Sequence, residues 1–193
     1  MKDLDVDPKQ KAILMSAWQA FAAYGFRKTS MDDIARGAGM SRPAVYLHYK
    51  NKEAIFRSLA QHYYDMAAAD VAEALGGKGT IRDLIARAFS AQGGDVMAAM
   101  LSSPHGMELL DASNATSSDI SDAGEARLRD LYADWLEREA ARGRVRLTGE
   151  AQDVAATITA ALKGIKAAVP SYDDYTTRVA QLAALIGAGL EVR

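Results

Sequence analysis

No cysteine occurs in the 193 residues, so the chain forms no disulfide, carries no thiolate nucleophile and offers no thiolate ligand to a metal. Histidine is also scarce: His48, His62 and His105 are the full set, and no spacing among them and the acidic residues makes a metal site, so neither metal nor cofactor is expected. No window alternates β-branched and polar residues with a period of two, and no sheet is therefore indicated. A long uncharged run and a charged-then-apolar leader are both missing, which points away from membrane and export and toward the cytoplasm. No internal repeat stands out, and no nucleophile elbow or nucleotide-binding loop is present. The cluster Gly76-Gly77-Lys78-Gly79 lacks the Lys-Ser/Thr that would follow in a phosphate loop and the strand that would precede it, so it reads as a linker.

What is present is helical periodicity. Ile13, Ala17, Phe21 and Tyr24, with Leu14 and Trp18 beside them, predict a helix over about 8–24 with Pro8 in its first turn and Gly25 at its end. Ser30 can cap a second, short helix and pair with Asp33 as a capping box, leaving Ile34, Ala35 and Ala38 on its inner face. Gly37 and Gly39 mark a sharp turn, and Ser41 caps a third helix that carries Pro43 in its first turn and runs to about Tyr46 or Leu47. A fourth helix is predicted over about 52–75, and further helices over 80–91, 94–102, 104–111, 117–143, 150–168 and 173–191. The expected fold class is all-α, divided into a head at 8–66 and a helical domain at 80–193.

Charge follows the same division. Residues 1–62 hold ten Lys/Arg against six Asp/Glu, whereas the remainder holds thirteen against nineteen. A basic N-terminal part suits a polyanion and an acidic remainder avoids one. Two short helices joined by a tight glycine turn are also what insertion into the major groove, about 12 Å wide, requires: the first braces on the backbone and the second presents its N-terminal residues to base edges. Those residues are Ser41, Arg42, Pro43 and Ala44. Arg42 can fork onto O6 and N7 of guanine or grip a phosphate; Tyr46 and His48 combine donors with flat apolar bodies, Lys50 and Lys52 add charge, and Tyr49 reads as core.

The string TSMDDIARGAGMSRPAVYLHYKNKEAIF, residues 29–56, resembles the DNA-binding signature of the tetracycline-repressor (TetR) family of transcriptional regulators. With the first helix, the resemblance covers about residues 8–66. It implies an N-terminal three-helix DNA-binding head with a helix-turn-helix and a C-terminal helical bundle for effector binding and dimerisation. It also implies phosphate contacts from Thr29, Ser30, Tyr46 and Lys52, and base contacts from Arg42, Pro43, Ala44, Leu47 and His48. Pro43 and Ala44 stand where family members often carry glycine or threonine.

On the family pattern, the partners expected are a palindromic double-stranded operator, a second copy of the chain docked through helices 150–168 and 173–191, and a small, largely apolar effector, with repression as the output. The faces expected to pair are Val154, Ala155, Ile158, Ala161, Leu162 and Ile165 on one helix and Val179, Leu182, Ala183, Ile186 and Leu190 on the other. The expected effector lining is Tyr63, Met66, Phe89, Met97, Met100, Leu101, His105, Met107, Leu110, Tyr132 and Trp135, a set rich in adaptable methionine. A competing reading, an all-helical enzyme using His105 with Glu108 or Asp111, lacks every catalytic motif.

Overall fold

The computed structural model describes residues 7–192. Among them, nine helices follow one another: α1 (Pro8–Tyr24), α2 (Met31–Gly37), α3 (Arg42–Tyr46), α4 (Lys52–Gly76), α5 (Ile81–Ser102), α6 (Gly106–Thr116), α7 (Ser118–Ala141), α8 (Ala151–Ala168) and α9 (Tyr172–Leu190). The fold is all-α; the β-structure among the described residues is one isolated antiparallel bridge between Val145 and Glu191. No helix among them is long and apolar enough to cross a membrane.

The head forms for local reasons that extend into packing. The Asp7 carboxylate accepts from the Lys9 N–H at the start of α1, Pro8 sits in its first turn, and the Gly25 N–H closes it onto the Phe21 carbonyl at 2.9 Å. At α2 both arms of the capping box are made: Ser30 Oγ accepts from the Asp33 N–H at 3.2 Å, and Asp33 accepts from the Ser30 N–H at 3.0 Å. Gly39 then takes φ of 65°, a left-handed conformation that a side chain would strain, and this reverses the chain into α3. Ser16 Oγ on α1 donates to the Ile34 carbonyl at 2.7 Å, pinning α1 to α2.

The apolar sides of these helices meet in one core. Ile13, Leu14, Ala17 and Phe21 of α1 pack with Ile34 and Ala35 of α2, Val45 of α3, and Ile55 and Phe56 of α4. Phe21, Phe26 and Phe56 form a triangle with ring centroids 5.3, 5.6 and 5.1 Å apart.

The chain divides into two compact units whose limits differ from those read off the sequence. One takes the described residues up to Tyr64 together with Asp95–Asp122; the other takes Asp65–Gly94 and the described residues from Ala123 onward. Residues 95–122, expected in the C-terminal domain, join the head because Leu109 and Ala112 of α6 are members of its core. Polar ties hold them there: Ser103 Oγ donates to the Ala22 carbonyl at 2.7 Å, and Glu108 accepts from the Arg27 N–H at 2.9 Å. The two helices expected over 80–102 are one element broken at Gly94, which adopts φ of 53°.

In the first unit the Arg57 guanidinium donates to both Asp119 carboxylate oxygens at 2.7 Å and to the Thr116 carbonyl at 2.8 Å. This fork holds the Asp119 carboxyl down to about 2. An unfolded aspartate titrates near 3.9, so the stabilisation is full above about pH 4 and is lost as pH falls through about 2. The Asp119→Asn variant should therefore be less stable than the parent at neutral pH, with the difference closing below about pH 2; denaturant melts across that range measure it. A constant difference down to the lowest pH would show that Asp119 acts by something other than its charge.

The second unit packs α8 against α9, with Phe89 of α5 edge-on to Tyr132 of α7 at 5.8 Å. Tyr132 O–H donates to Gln92 Oε1 at 3.0 Å, so the buried phenol is satisfied. Glu139 is buried and paired with Arg142 and Arg144 at 2.7 and 2.8 Å. The Arg144 guanidinium also donates to the Gly79 carbonyl at 2.8 Å, closing the glycine linker onto the end of α7.

Candidate nucleic-acid interface

One side chain of α3, Val45, is fully buried and fixes the helix on the head core, which turns the rest of its short length to solvent. Ser41, Arg42, Pro43, Tyr46 and Leu47 are exposed, Leu47 to 86 %, and Ala44 is half-buried. Leu47, the C-cap of α3, is free to meet a thymine methyl. Ser41 Oγ accepts from the Ala44 N–H at 3.3 Å and so caps α3.

Arg42, the first residue of α3, is anchored at its tip. One guanidinium nitrogen donates to Asp32 Oδ2 at 3.1 Å and another to the Tyr46 hydroxyl at 3.2 Å, and the group lies over the Tyr46 ring at 5.5 Å from its centroid. The Tyr46 hydroxyl, and after it the Asp32 charge, push the guanidinium further above its ordinary value, so its charge is permanent. His48 is half-buried with Nδ1 3.9 Å from Asp7 Oδ2, and Lys50 is exposed. Tyr49 packs against the head core, where burial pushes its phenol up.

Two residues to which the resemblance gives phosphate contacts use their polar groups inside the head. Thr29 is buried, and its hydroxyl donates to the carbonyls of Gly25 at 2.7 Å and Ala20 at 3.2 Å. Lys52 Nζ donates to the carbonyls of Phe26, Arg27 and Thr29 at 2.8, 3.0 and 3.0 Å and sits 4.8 Å from the centroid of the Phe26 ring. An ammonium has three donors, and all three are committed here. These carbonyls belong to the loop between α1 and α2, whose free backbone groups nothing in the sequence pattern assigns to a partner. Lys52→Met should accordingly lower the stability of the protein by about 1–3 kcal/mol, because it orphans those carbonyls. Denaturant unfolding would measure it; full stability would mean that water replaces the ammonium at no loss. Ser30 is exposed and shares its hydroxyl with Asp33.

The residues expected to line an effector site divide between the two units. In the first, Met97 is buried, Tyr63, Met100, Leu101, His105 and Leu110 are half-buried, and Met107 is 60 % exposed. Met107 does not line an interior, because α6 commits Leu109 and Ala112 to the core and turns Met107 outward. His105 occupies the N-cap of α6 without a side-chain cap bond, and its Nδ1 lies 3.3 Å from Glu108 Oε2. In the second unit Phe89, Tyr132 and Trp135 are buried and Met66 is half-buried. That unit also holds a cavity of about 140 Å³ lined by Ala86, Ser90, Gly94, Tyr172, Tyr175, Thr176, Val179 and Ala180, none of them in the expected set. Gly93 lies beside it, where a Cβ would press on the ring and hydroxyl of Tyr175.

The faces expected to pair two copies are also redirected. Ala155, Ile158 and Leu162 of α8 and Val179, Ala183 and Leu190 of α9 are buried within the chain, while Val154, Ala161, Ile165, Leu182 and Ile186 are half-buried. The exposed sides carry Ala156, Ala160, Gly164 and Ala168 on α8, and Ala184, Leu185 and Ala188 on α9, with Leu185 exposed to 72 %. Periodicity marks both helices as amphipathic, but it does not say which apolar side the chain keeps for itself.

An exposed, capped third helix standing on a three-helix core defines a helix-turn-helix head. Residues 13–59 match the family described as "Bacterial regulatory proteins, tetR family", so this segment is similar to the DNA-binding part of those regulators. Among relatives, an HTH-type transcriptional repressor of Mycobacterium tuberculosis is 36 % identical over 78 residues, which are 40 % of this chain and 41 % of that protein. The regulator EthR of Mycolicibacterium smegmatis is 42 % identical over 53 residues, 28 % of this chain and 24 % of its own. The chain thus spans less than half the length of these relatives. Likeness over the whole chain is in the fold. SmeT, the repressor of the Stenotrophomonas maltophilia multidrug efflux pump, superposes with a TM-score of 0.70 at 20 % identity, covering 95 % of this chain and 90 % of its own. A transcriptional regulator of Cytophaga hutchinsonii gives 0.75 at 18 %, covering 96 % and 100 %.

Proposed function

We propose that the chain is a TetR-type transcriptional repressor that holds a palindromic DNA operator as a homodimer and is released by a small, largely apolar effector bound in its C-terminal part. The observation that carries this reading is α3: a short helix with Val45 committed to the core and Arg42, Pro43 and Tyr46, with Leu47 at its C-cap, presented to solvent. In the complex Arg42, Pro43, Ala44, Leu47 and His48 face bases, while Ser30, Ser41, Tyr46 and Lys50 take the sugar-phosphate rim.

A dimer is supported by the small-residue stripes of α8 and α9, which allow two helix pairs to approach closely as a four-helix interface. Two heads related by a twofold axis then meet half-sites about 34–36 Å apart, or a multiple of that. Release needs only that effector binding favour a different head separation, because losing register surrenders the roughly 4–10 kcal/mol that distinguishes an operator from random DNA. SmeT, which shares the fold, has been captured with triclosan, a ligand of the apolar kind proposed here.

Footprinting on the DNA upstream of the gene for this chain tests the reading. Protection of a palindrome by nanomolar protein, lost on adding the effector, is the expected result. Absence of protection even at low salt, where phosphate contacts are strongest, would overturn it.

A further inference from the structure

Arg42 has two ways to serve DNA binding, a fork onto guanine or a grip on phosphate, and its surroundings favour one of them. Its guanidinium is tied to Asp32 Oδ2 at 3.1 Å and to the Tyr46 hydroxyl at 3.2 Å, although both members of the Asp32–Arg42 pair are about half exposed, at 53 % and 54 %. Tyr46 lies four residues on in the same helix, so the arginine's stem and tip are braced from its own element. Asp32 comes from α2, so it also ties the first helix of the helix-turn-helix to the first residue of the second.

Asp32 is an exposed carboxylate hydrogen-bonded to the Arg42 guanidinium. A phosphate brought to Arg42 would meet that carboxylate at close range and be repelled, whereas the neutral edge of a guanine would not. The guanidinium has five donors; with two engaged by Asp32 and Tyr46, others remain for O6 and N7. We propose that Asp32 is a specificity-determining positioning residue, which braces the Arg42 fork against Tyr46 and excludes phosphate, so committing Arg42 to a base edge. The proposal rests on the reading of α3 as the DNA-contacting helix.

Selection of duplexes from a randomised pool by the full-length protein separates the two. The parent should enrich a palindrome, and Arg42→Ala should lose the guanine preference at one position of each half-site. Asp32→Ala should lose preference at that same position, with discrimination there falling roughly 3- to 10-fold. At the same time its affinity for a random duplex should rise, and the slope of log affinity against log salt should steepen by about one, because the freed arginine takes a phosphate. Asp32→Glu, which keeps the charge, should restore most of the preference. If Asp32→Ala keeps the guanine preference, or weakens all duplexes alike with an unchanged salt slope, Asp32 is structural and the proposal fails while the reading of α3 stands. A parent that enriches no sequence would overturn both.

Discussion

Replacing Leu185 by aspartate is expected to convert the proposed dimer to monomers and to weaken its hold on the proposed palindromic operator by roughly 10²- to 10⁴-fold, the range in which joining two binding modules raises affinity. Leu185 is 72 % exposed on α9, beside Ala184 and Ala188. A leucine so placed contributes little to the fold of its own chain, so aspartate there should leave thermal stability of the separated chain close to the parent's. In the dimer the same position would bury an unpaired carboxylate, which the interface cannot satisfy. Sedimentation measures the first effect and titration of a labelled palindrome the second. A variant that stays dimeric would place the interface elsewhere; a monomer that keeps full affinity would show that one head suffices.

Phe21→Ala should cost about 3–5 kcal/mol of unfolding free energy, enough to leave the head partly unfolded at physiological temperature. Phe21 is fully buried and touches both Phe26 and Phe56, so its loss removes two of the three ring contacts of the triangle along with its own burial. The same triangle supports Lys52, whose ammonium sits over Phe26, so the loop between α1 and α2 should loosen together with the core. DNA binding should be lost in step with folding, as read by near-ultraviolet circular dichroism and by titration of the operator. Loss of binding in a fully folded variant would instead assign Phe21 a role in shaping the DNA surface. The Arg42→Ala variant supplies the contrast: it removes an exposed side chain and should leave folding almost untouched.

The sequence made the head legible because its signals are local. The capping serines 30 and 41, the turn at Gly39, Pro43 in the first turn of α3 and the apolar spacing of α1 each act within four residues or so, and each is found as expected. The commitments of Thr29 and Lys52 were illegible for the opposite reason. Lys52 donates across 23 to 26 residues to backbone carbonyls, which carry no side-chain identity by which a pattern could find them. Asp32 and Arg42, ten residues apart on different helices, escape a helical spacing rule in the same way.

By itself, then, the sequence determined that the chain is all-α, that α2 and α3 stand as a capped pair about a glycine turn, and that Arg42 and Tyr46 fall on α3 with Leu47 at its end. Hydrogen bonds to neighbouring backbone and the 3.6-residue period suffice for that. Only the tertiary structure decided that α6 belongs with the head through Leu109 and Ala112, that Met107 faces outward, and which sides of α8 and α9 are spent inside the chain. An amphipathic helix has its buried side chosen by the partners it meets, and those partners lie tens of residues away, beyond the range of any local signal.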